Sequence, residues 1–183
     1  NDNRADWSDA WALFSGDVVY IWCADVFSPV VAQSIDACGF ERRSLICWAK
    51  NVAPPLAFGV NGEHVERGGL YHHQHELCWY AVRQGSTAKW IGDRKQTTLW
   101  QIDKPQNSET GHSTQKPIDC MERPIRNHDA PIVYDPFLGS GTTLIACERL
   151  GRRCRAVEIS PAYVAVAIQR WHDMTGGEPV LLP

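Results

Sequence analysis

Two acidic residues flank a glycine-rich turn in the last third of the chain, each placed where an apolar, strand-like run ends. Asp135 stands before the turn and Glu158 follows the next strand-like run. Between them, Gly139 and Gly141 precede a segment with a helical pattern, 144–150. A glycine turn between a strand and a helix brings backbone N–H groups close to a ligand. The spacing therefore predicts a nucleotide-type binding unit of strand, turn, helix and strand.

The two acids narrow the choice of ligand. Glu158 stands about 20 residues beyond Gly139, which is the spacing at which an acid binds ribose hydroxyls. The dinucleotide fingerprint nevertheless fails, because Leu144 occupies the place of its third glycine. Asp135 suits a ligand that carries an ammonium group and no pyrophosphate. S-adenosylmethionine has both a ribose and an amino-acid tail, so the residues favour it. A generic strand–helix turn with two unrelated acids is the alternative.

The composition sets broad limits. A length of 183 residues is typical of one domain, and the net charge of −3 means that any nucleic-acid contact needs a local basic patch. Seven cysteines without a Cys-x-x-Cys pair favour reduced thiols over disulfides or zinc. The sequence has no apolar run of membrane-spanning length. We therefore expect a cytoplasmic protein.

The first part of the chain, residues 1–82, predicts alternating strands and helices. Apolar runs predict strands at 18–23, 43–48 and 76–82, with a helix at 29–38 between the first two. Continuous apolar runs are typical of parallel strands that are covered on both faces. The pattern indicates an α/β fold.

Residues 83–111 form a basic insertion. Between 83 and 104 there are five basic and two acidic residues, with Trp90 and Trp100 among them. Basic residues interleaved with aromatic ones suit a phosphate backbone, so Lys89, Arg94 and Lys95 are the candidate DNA contacts. A hairpin with a solvated face is an equally good interpretation.

Two other constellations are less favoured. Histidines at 72, 73 and 75 precede Glu76, but adjacent residues on a strand face opposite ways and no fourth ligand is nearby. We therefore predict no metal site. Ser113 and Ser140 lack a local base, which disfavours a hydrolase triad.

Together these motifs resemble those of the DNA amino-methyltransferases, S-adenosylmethionine-dependent enzymes that methylate adenine N6 or cytosine N4. The family motif Asp-Pro-Phe-x-Gly-Ser-Gly-Thr-Thr is matched by residues 135–143, and His-x-Thr-Gln-Lys-Pro by residues 112–117. Glu158 matches the acid of the family's second strand. The cofactor motif comes late in the chain, as in the family's beta group. The resemblance covers residues 1–172.

The resemblance implies a set of cofactor-binding residues in the half 112–175. Glu158 would bind the ribose, and Lys116 with Thr114 would close over the carboxylate side of the cofactor. The expected residues are Asp135, Phe137, Gly139, Ser140, Gly141, Thr142, Glu158, His112, Thr114 and Lys116. The implied fold is a doubly wound, mostly parallel seven-stranded sheet with one antiparallel strand near an edge.

One family motif, Asp/Ser-Pro-Pro-aromatic, is missing from the sequence. Its side chain and carbonyls accept the hydrogens of the exocyclic amine, and its aromatic residue stacks on the flipped base. The segment 53–56, Ala-Pro-Pro-Leu, has neither group. We therefore expect the chain to start just after the catalytic loop, to be inactive alone and to carry no catalytic residue of its own.

The predicted function is site-specific methylation of double-stranded DNA, at adenine N6 before cytosine N4, because the Asp form of the missing motif is the commoner one. The short interval 83–111 leaves little room for target recognition, so we expect a second subunit or an additional domain. Two alternatives remain: an inactive S-adenosylmethionine-binding module with a regulatory or scaffolding role, and a methyltransferase acting on RNA or protein. The basic stretch favours nucleic acid over protein.

Overall fold

The computed structural model describes residues 4–50, 74–103 and 115–182. Helices and strands alternate along most of this length, as an α/β fold requires. In chain order they are α1 (Ser8–Ala12), β1 (Val18–Cys23), a short 3₁₀ helix (Asp25–Phe27), α2 (Ser28–Ala37), β2 (Phe40–Lys50), β3 (His75–Arg83), β4 (Leu99–Ile102), α3 (Ile118–Arg126), β5 (Ile132–Asp135), α4 (Thr142–Arg149), β6 (Arg153–Ala156) and α5 (Pro161–Thr175).

Four strands form a mixed sheet in the order β1-β3-β2-β4. β3 runs antiparallel to both of its neighbours, while β2 and β4 are parallel. β1, β2 and β4 therefore point the same way, and their carboxyl ends lie at one edge of the sheet. β3 is the antiparallel strand of this four-stranded sheet and lies second in the order.

The second half of the basic stretch ends in a parallel strand. Trp100 of β4 is paired with Trp48 of β2 in parallel register. β4 therefore pairs with β2 and not with β3, the strand that precedes it in the chain. The hairpin interpretation of residues 83–104 is therefore wrong. The pairing places Trp100 in the core, where 3% of its surface is exposed.

β5 and β6 form a separate parallel pair in which Val133 lies beside Cys154. The described residues thus contain six strands in two sheets, where the resemblance implies a single seven-stranded one. Among these residues β1 pairs with β3 alone and β5 with β6 alone. The outer edges of β1 and β5 therefore have no partner strand in the described part of the chain.

Aromatic side chains connect the two sheets. Phe14 stacks on Phe40 at the start of β2 and on Tyr134 of β5, with ring centroids 6.4 and 6.2 Å apart. The Tyr20 hydroxyl of β1 lies 2.9 Å from Nε2 of buried His128, which precedes β5. These contacts join the two sheets.

The cysteines lie in the core and at its margin. Cys78, Cys120 and Cys147 are buried, and all seven thiols are free. Burial raises the pKa of the Cys120 thiol to about 12, so this group stays protonated at neutral pH.

Two sequence features concern metals and membranes. His72 and His73 lie outside the described residues, among which no group of three or more His, Cys, Asp or Glu side chains could hold a metal ion. Across residues 4–50, 74–103 and 115–182, none of the helices combines the length and apolarity that a membrane span needs.

Candidate cofactor site

The glycine turn begins where β5 ends. Asp135 is the last residue of β5, and its Oδ1 accepts a 2.9 Å hydrogen bond from the backbone N–H of Phe137. Gly139 and Gly141 follow with φ of +56° and +86°, a left-handed conformation that glycine adopts without steric cost. Helix α4 then starts at Thr142, which is buried. The local sequence therefore dictates the sharp reversal from strand to helix.

Glu158 fastens this turn to the end of β6. Its Oε2 accepts the N–H of Gly139 at 2.7 Å, and its Oε1 accepts the N–H of Ser160, the N-cap of α5, at 2.8 Å. Each carboxylate oxygen has two lone pairs, so each keeps one acceptor position. Glu158 can therefore hold the turn and still accept hydrogen bonds from two ligand hydroxyls.

The surroundings of the turn fit an adenosine-containing ligand with an amino-acid tail. Among the described residues, a Cβ added to Gly139 would have only the Phe137 carbonyl oxygen within 4 Å, at 4.0 Å, so these residues leave the space beside Gly139 open. Ile159, which follows Glu158 in the chain, is 84% exposed, and Phe137, which follows Asp135 by two residues, is 46% exposed, so both offer apolar surface. Apolar walls around a few fixed acceptors are typical of sites for such molecules. The residues present therefore fit S-adenosylmethionine.

Helix α5 supports the turn from behind, which the sequence analysis did not foresee. Nη1 of Arg170 donates a 2.6 Å hydrogen bond to the carbonyl oxygen of Ser140. Ala167 lies so close to Gly141 that a Cβ added there would stand 2.8 Å from the Ala167 Cβ. Neither α5 residue belongs to a motif. Ile159 was also missed, although an apolar residue between a strand acid and a helix N-cap is a usable signal.

Lys116 lies in a charged cluster at the carboxyl ends of β1 and β2. Its Nζ is 3.0 Å from Glu76 Oε2 and 5.2 Å from the ring centre of Trp22, and Lys50 Nζ is 2.7 Å from Glu76 Oε1. Burial would raise the pKa of Glu76, but the two ammonium groups outweigh it and hold that pKa below its usual range. Cofactor contact by Lys116 stays a prediction. His112 and Thr114 lie outside the described residues.

Lys89, one of the three candidate DNA contacts, lies near the start of β5, at the end opposite the turn. Lys89 Nζ is 3.3 Å from Asp17 Oδ2, just before β1, and the Lys89 carbonyl accepts the N–H of Asp129, shortly before β5 begins. Asp135 stands at the other end of β5. Arg94 and Lys95 follow Lys89 on the exposed segment that leads to β4. Contact with DNA by these residues stays a prediction.

Solved structures share this fold. The M1.HpyAVI–SAM complex aligns with a TM-score of 0.67 and 28% identity over 84% of this chain and 73% of that one. TTHA0409 from Thermus thermophilus, a putative DNA modification methylase complexed with S-adenosyl-L-methionine, aligns at 0.62 with 21% identity, over 94% of this chain and 76% of that one. The α/β methyltransferase fold is thereby confirmed.

Similar proteins of known type are type II methyltransferases. M2.DpnII of Streptococcus pneumoniae is 39% identical over 156 residues, which cover 76% of this chain and 54% of that protein. M2.MboI of Moraxella bovis is 26% identical over 199 residues, covering 99% of this chain and 70% of the relative. The chain thus spans between about half and 70% of the length of these relatives.

The close approach of the turn to α5 can be tested with a matched glycine pair. Gly151 has φ +63°, but no atom of the described residues lies within 4 Å of an added Cβ, so Gly151→Ala should lose only about 1–2 kcal/mol of unfolding free energy. Gly141→Ala adds a steric conflict with Ala167 and should lose about 1–3 kcal/mol more. Urea denaturation measures both, and equal losses would contradict the described packing.

A family profile covers most of the chain. The profile N6_N4_Mtase, described as "DNA methylase", matches residues 12–169, which include the whole glycine turn, Glu158 and the supporting residue Ala167. S-adenosylmethionine is the cofactor of this family, in agreement with the chemistry of the turn. The chain belongs to the N6/N4 family of DNA amino-methyltransferases.

Proposed function

We propose that this chain is the cofactor-binding part of a DNA methyltransferase that methylates an exocyclic amine. The amine is N6 of adenine, with N4 of cytosine as the alternative. The observation that carries the proposal is the glycine turn held between two strand-end acids, with open space before it. Adenine comes first because the Asp form of the family's catalytic motif is the commoner one. The substrate is double-stranded DNA, as expected for type II methyltransferases.

Each residue around the turn has a distinct role in this proposal. The free acceptor positions of Glu158 receive the ribose hydroxyls, and Ile159 supplies an apolar face for the adenine ring. Asp135 receives the ammonium group of the amino-acid tail. Phe137 and the open space before Gly139 accommodate the methionine part. These contacts orient the ligand without any movement of the fastened turn.

When bound, S-adenosylmethionine supplies a methyl group on a positively charged sulfur. The exocyclic amine of a base is a weak nucleophile because its lone pair is delocalised into the ring. Rate enhancement must therefore come mainly from placement and from fixed charges. In this chain, Asp135 and Glu158 would contribute placement, because they would hold the ammonium group and the ribose and so fix the position of the methyl group.

We also propose that the two sheets belong to one mostly parallel, seven-stranded sheet. β1 and β5 each have an edge without a partner strand among residues 4–50, 74–103 and 115–182. A further strand between them would join β1, β5 and β6 in parallel. The carboxyl ends of the strands would then form a continuous edge, which is where ligands bind in open α/β sheets.

An inactive S-adenosylmethionine-binding module is the second candidate function. The observation that favours it is the lack of an Asp/Ser-Pro-Pro-aromatic motif in the 183 residues. Both functions require the same cofactor site, so cofactor binding alone does not separate them. A methylated base is formed only by an active methyltransferase, so detection of that product distinguishes the two functions.

Replacement of Asp135 tests the cofactor site. Asp135→Ala should weaken S-adenosylmethionine binding by about 10- to 100-fold, because a hydrogen bond between charged groups is lost. Isothermal titration calorimetry measures the affinity. Asp129→Ala is the matched control, since Asp129 is exposed and lies before β5 instead of after it. Unchanged affinity in Asp135→Ala, with a native melting temperature, would refute the placement.

A transfer assay separates the two functions. The natural protein and the 183-residue chain are each incubated with duplex DNA and methyl-tritiated S-adenosylmethionine, and the DNA is digested to nucleosides. We expect labelled N6-methyladenine from the natural protein and no label from this chain alone. Labelled N4-methylcytosine would contradict the choice of base. Cofactor binding by the natural protein without any labelled base would favour the inactive module.

The basic stretch can be tested by the salt dependence of DNA binding. If Arg94 and Lys95 contact phosphates beside the target, Arg94→Ala with Lys95→Ala should weaken duplex binding and lower the log–log salt slope by about 2. Fluorescence anisotropy at several salt concentrations gives the slope. Arg153→Ala with Arg155→Ala, two exposed arginines on β6, is the control of equal charge. An unchanged slope would make the stretch an ordinary solvated surface.

A further inference from the structure

Helix α5 presents two residues to the cofactor turn. Ala167 and Arg170 are three residues apart, so they lie on the same face of the helix. Ala167 is 1% exposed, and it meets the turn at Gly141. The Cα of Ala167 would stand 3.0 Å from a Cβ on Gly141. The backbone of the turn and the helix are therefore as close as a glycine and an alanine allow.

Arg170 holds a backbone group of the same turn. Its guanidinium donates to the Ser140 carbonyl oxygen at 2.6 Å, the short distance of a charge-assisted hydrogen bond. The N–H of the same peptide unit belongs to Gly141 and donates to the Leu138 carbonyl at 3.1 Å. Both polar groups of the Ser140–Gly141 peptide are thus occupied.

This double attachment fixes the orientation of the peptide. In a trans peptide the carbonyl and the N–H point in opposite directions, so a rotation of the unit would break both hydrogen bonds at once. A glycine on one side makes such a rotation sterically easy when the bonds are absent. Rotation would move the Ser140 carbonyl oxygen away from α5 and change the wall of the open space before Gly139.

We infer that Arg170 is a positioning residue for the cofactor turn, with Ala167 providing the surface on which Gly141 rests. Arg170 acts through the Ser140 carbonyl and not by contact with the cofactor. The inference rests on the proposed function, because it assigns the turn to S-adenosylmethionine. It adds a residue on the last helix to a site built from the ends of β5 and β6.

Binding measurements on the full chain test the role of Arg170. Arg170→Ala should weaken binding of S-adenosylhomocysteine about tenfold, whereas Arg170→Lys, which keeps a charged donor, should stay within about threefold of the original affinity. Gln169→Ala on the same helix is the control, since its side chain bonds Asp173 on the exposed face. Rescue by lysine is a result that a merely structural role would not produce.

A second variant tests the inference if Arg170→Ala does not fold. Ala167→Val keeps the arginine but adds two methyl groups against Gly141, which should displace the turn and weaken binding by at least about fivefold. Unchanged affinity in Arg170→Ala or in Ala167→Val would overturn the inference. So would an equal loss in Gln169→Ala.

Hydrogen exchange separates this inference from the proposed function. In the ligand-free chain, Arg170→Ala should speed exchange of the Gly141 amide about tenfold, because the peptide unit loses its second attachment. If the original chain binds no S-adenosylhomocysteine but this acceleration is seen, the proposed function fails and the positioning contact stands. If the chain binds the ligand and exchange at Gly141 is unchanged in Arg170→Ala, the inference fails and the proposed function stands.

Discussion

The candidate cofactor site depends on how closely the backbone of one turn can approach a helix. At Gly141 the chain has φ +86° and lies against Ala167, so neither the conformation nor the space admits a Cβ. This contact sets the distance between the end of β5 and helix α5. Once that distance is fixed, Glu158 at the end of β6 reaches the Gly139 N–H, and Arg170 reaches the Ser140 carbonyl. The packing of α5 against the turn therefore also determines the shape of the site.

Negative and positive side chains lie at the ends of different strands. Asp135 and Glu158 place negative charge around the glycine turn, where a ligand with a positive sulfur and an ammonium group would lie. Lys50 and Lys116 place positive charge beside Glu76 at the ends of β1 and β2, and the carboxylate between them compensates one of the two. Under the proposed function, the two acids would face the positively charged sulfur and the ammonium group of the cofactor.

Local features of the site were predictable from the sequence, and contacts between distant residues were not. The strand-end positions of Asp135 and Glu158 and the turn at Gly139 and Gly141 follow from residue type and spacing, because strand ends, left-handed turns and helix starts are determined locally. Arg170 stands 30 residues beyond the Ser140 carbonyl it holds, and an arginine on a helix face carries no sign of a backbone partner. The parallel pairing of β4 with β2 was likewise not predictable from the sequence, since the short run Leu99–Ile102 is equally compatible with a hairpin.

The most direct test of this account is a crystal structure of the chain with S-adenosylhomocysteine. We expect the ribose hydroxyls within hydrogen-bonding distance of Glu158, the adenine ring against Ile159 and the amino group at Asp135. The Gly139 N–H should keep its bond to Glu158, because the turn needs no rearrangement to receive the ligand. Density for the ligand elsewhere on the chain, or a turn released from Glu158, would contradict the assignment of this turn as the cofactor site.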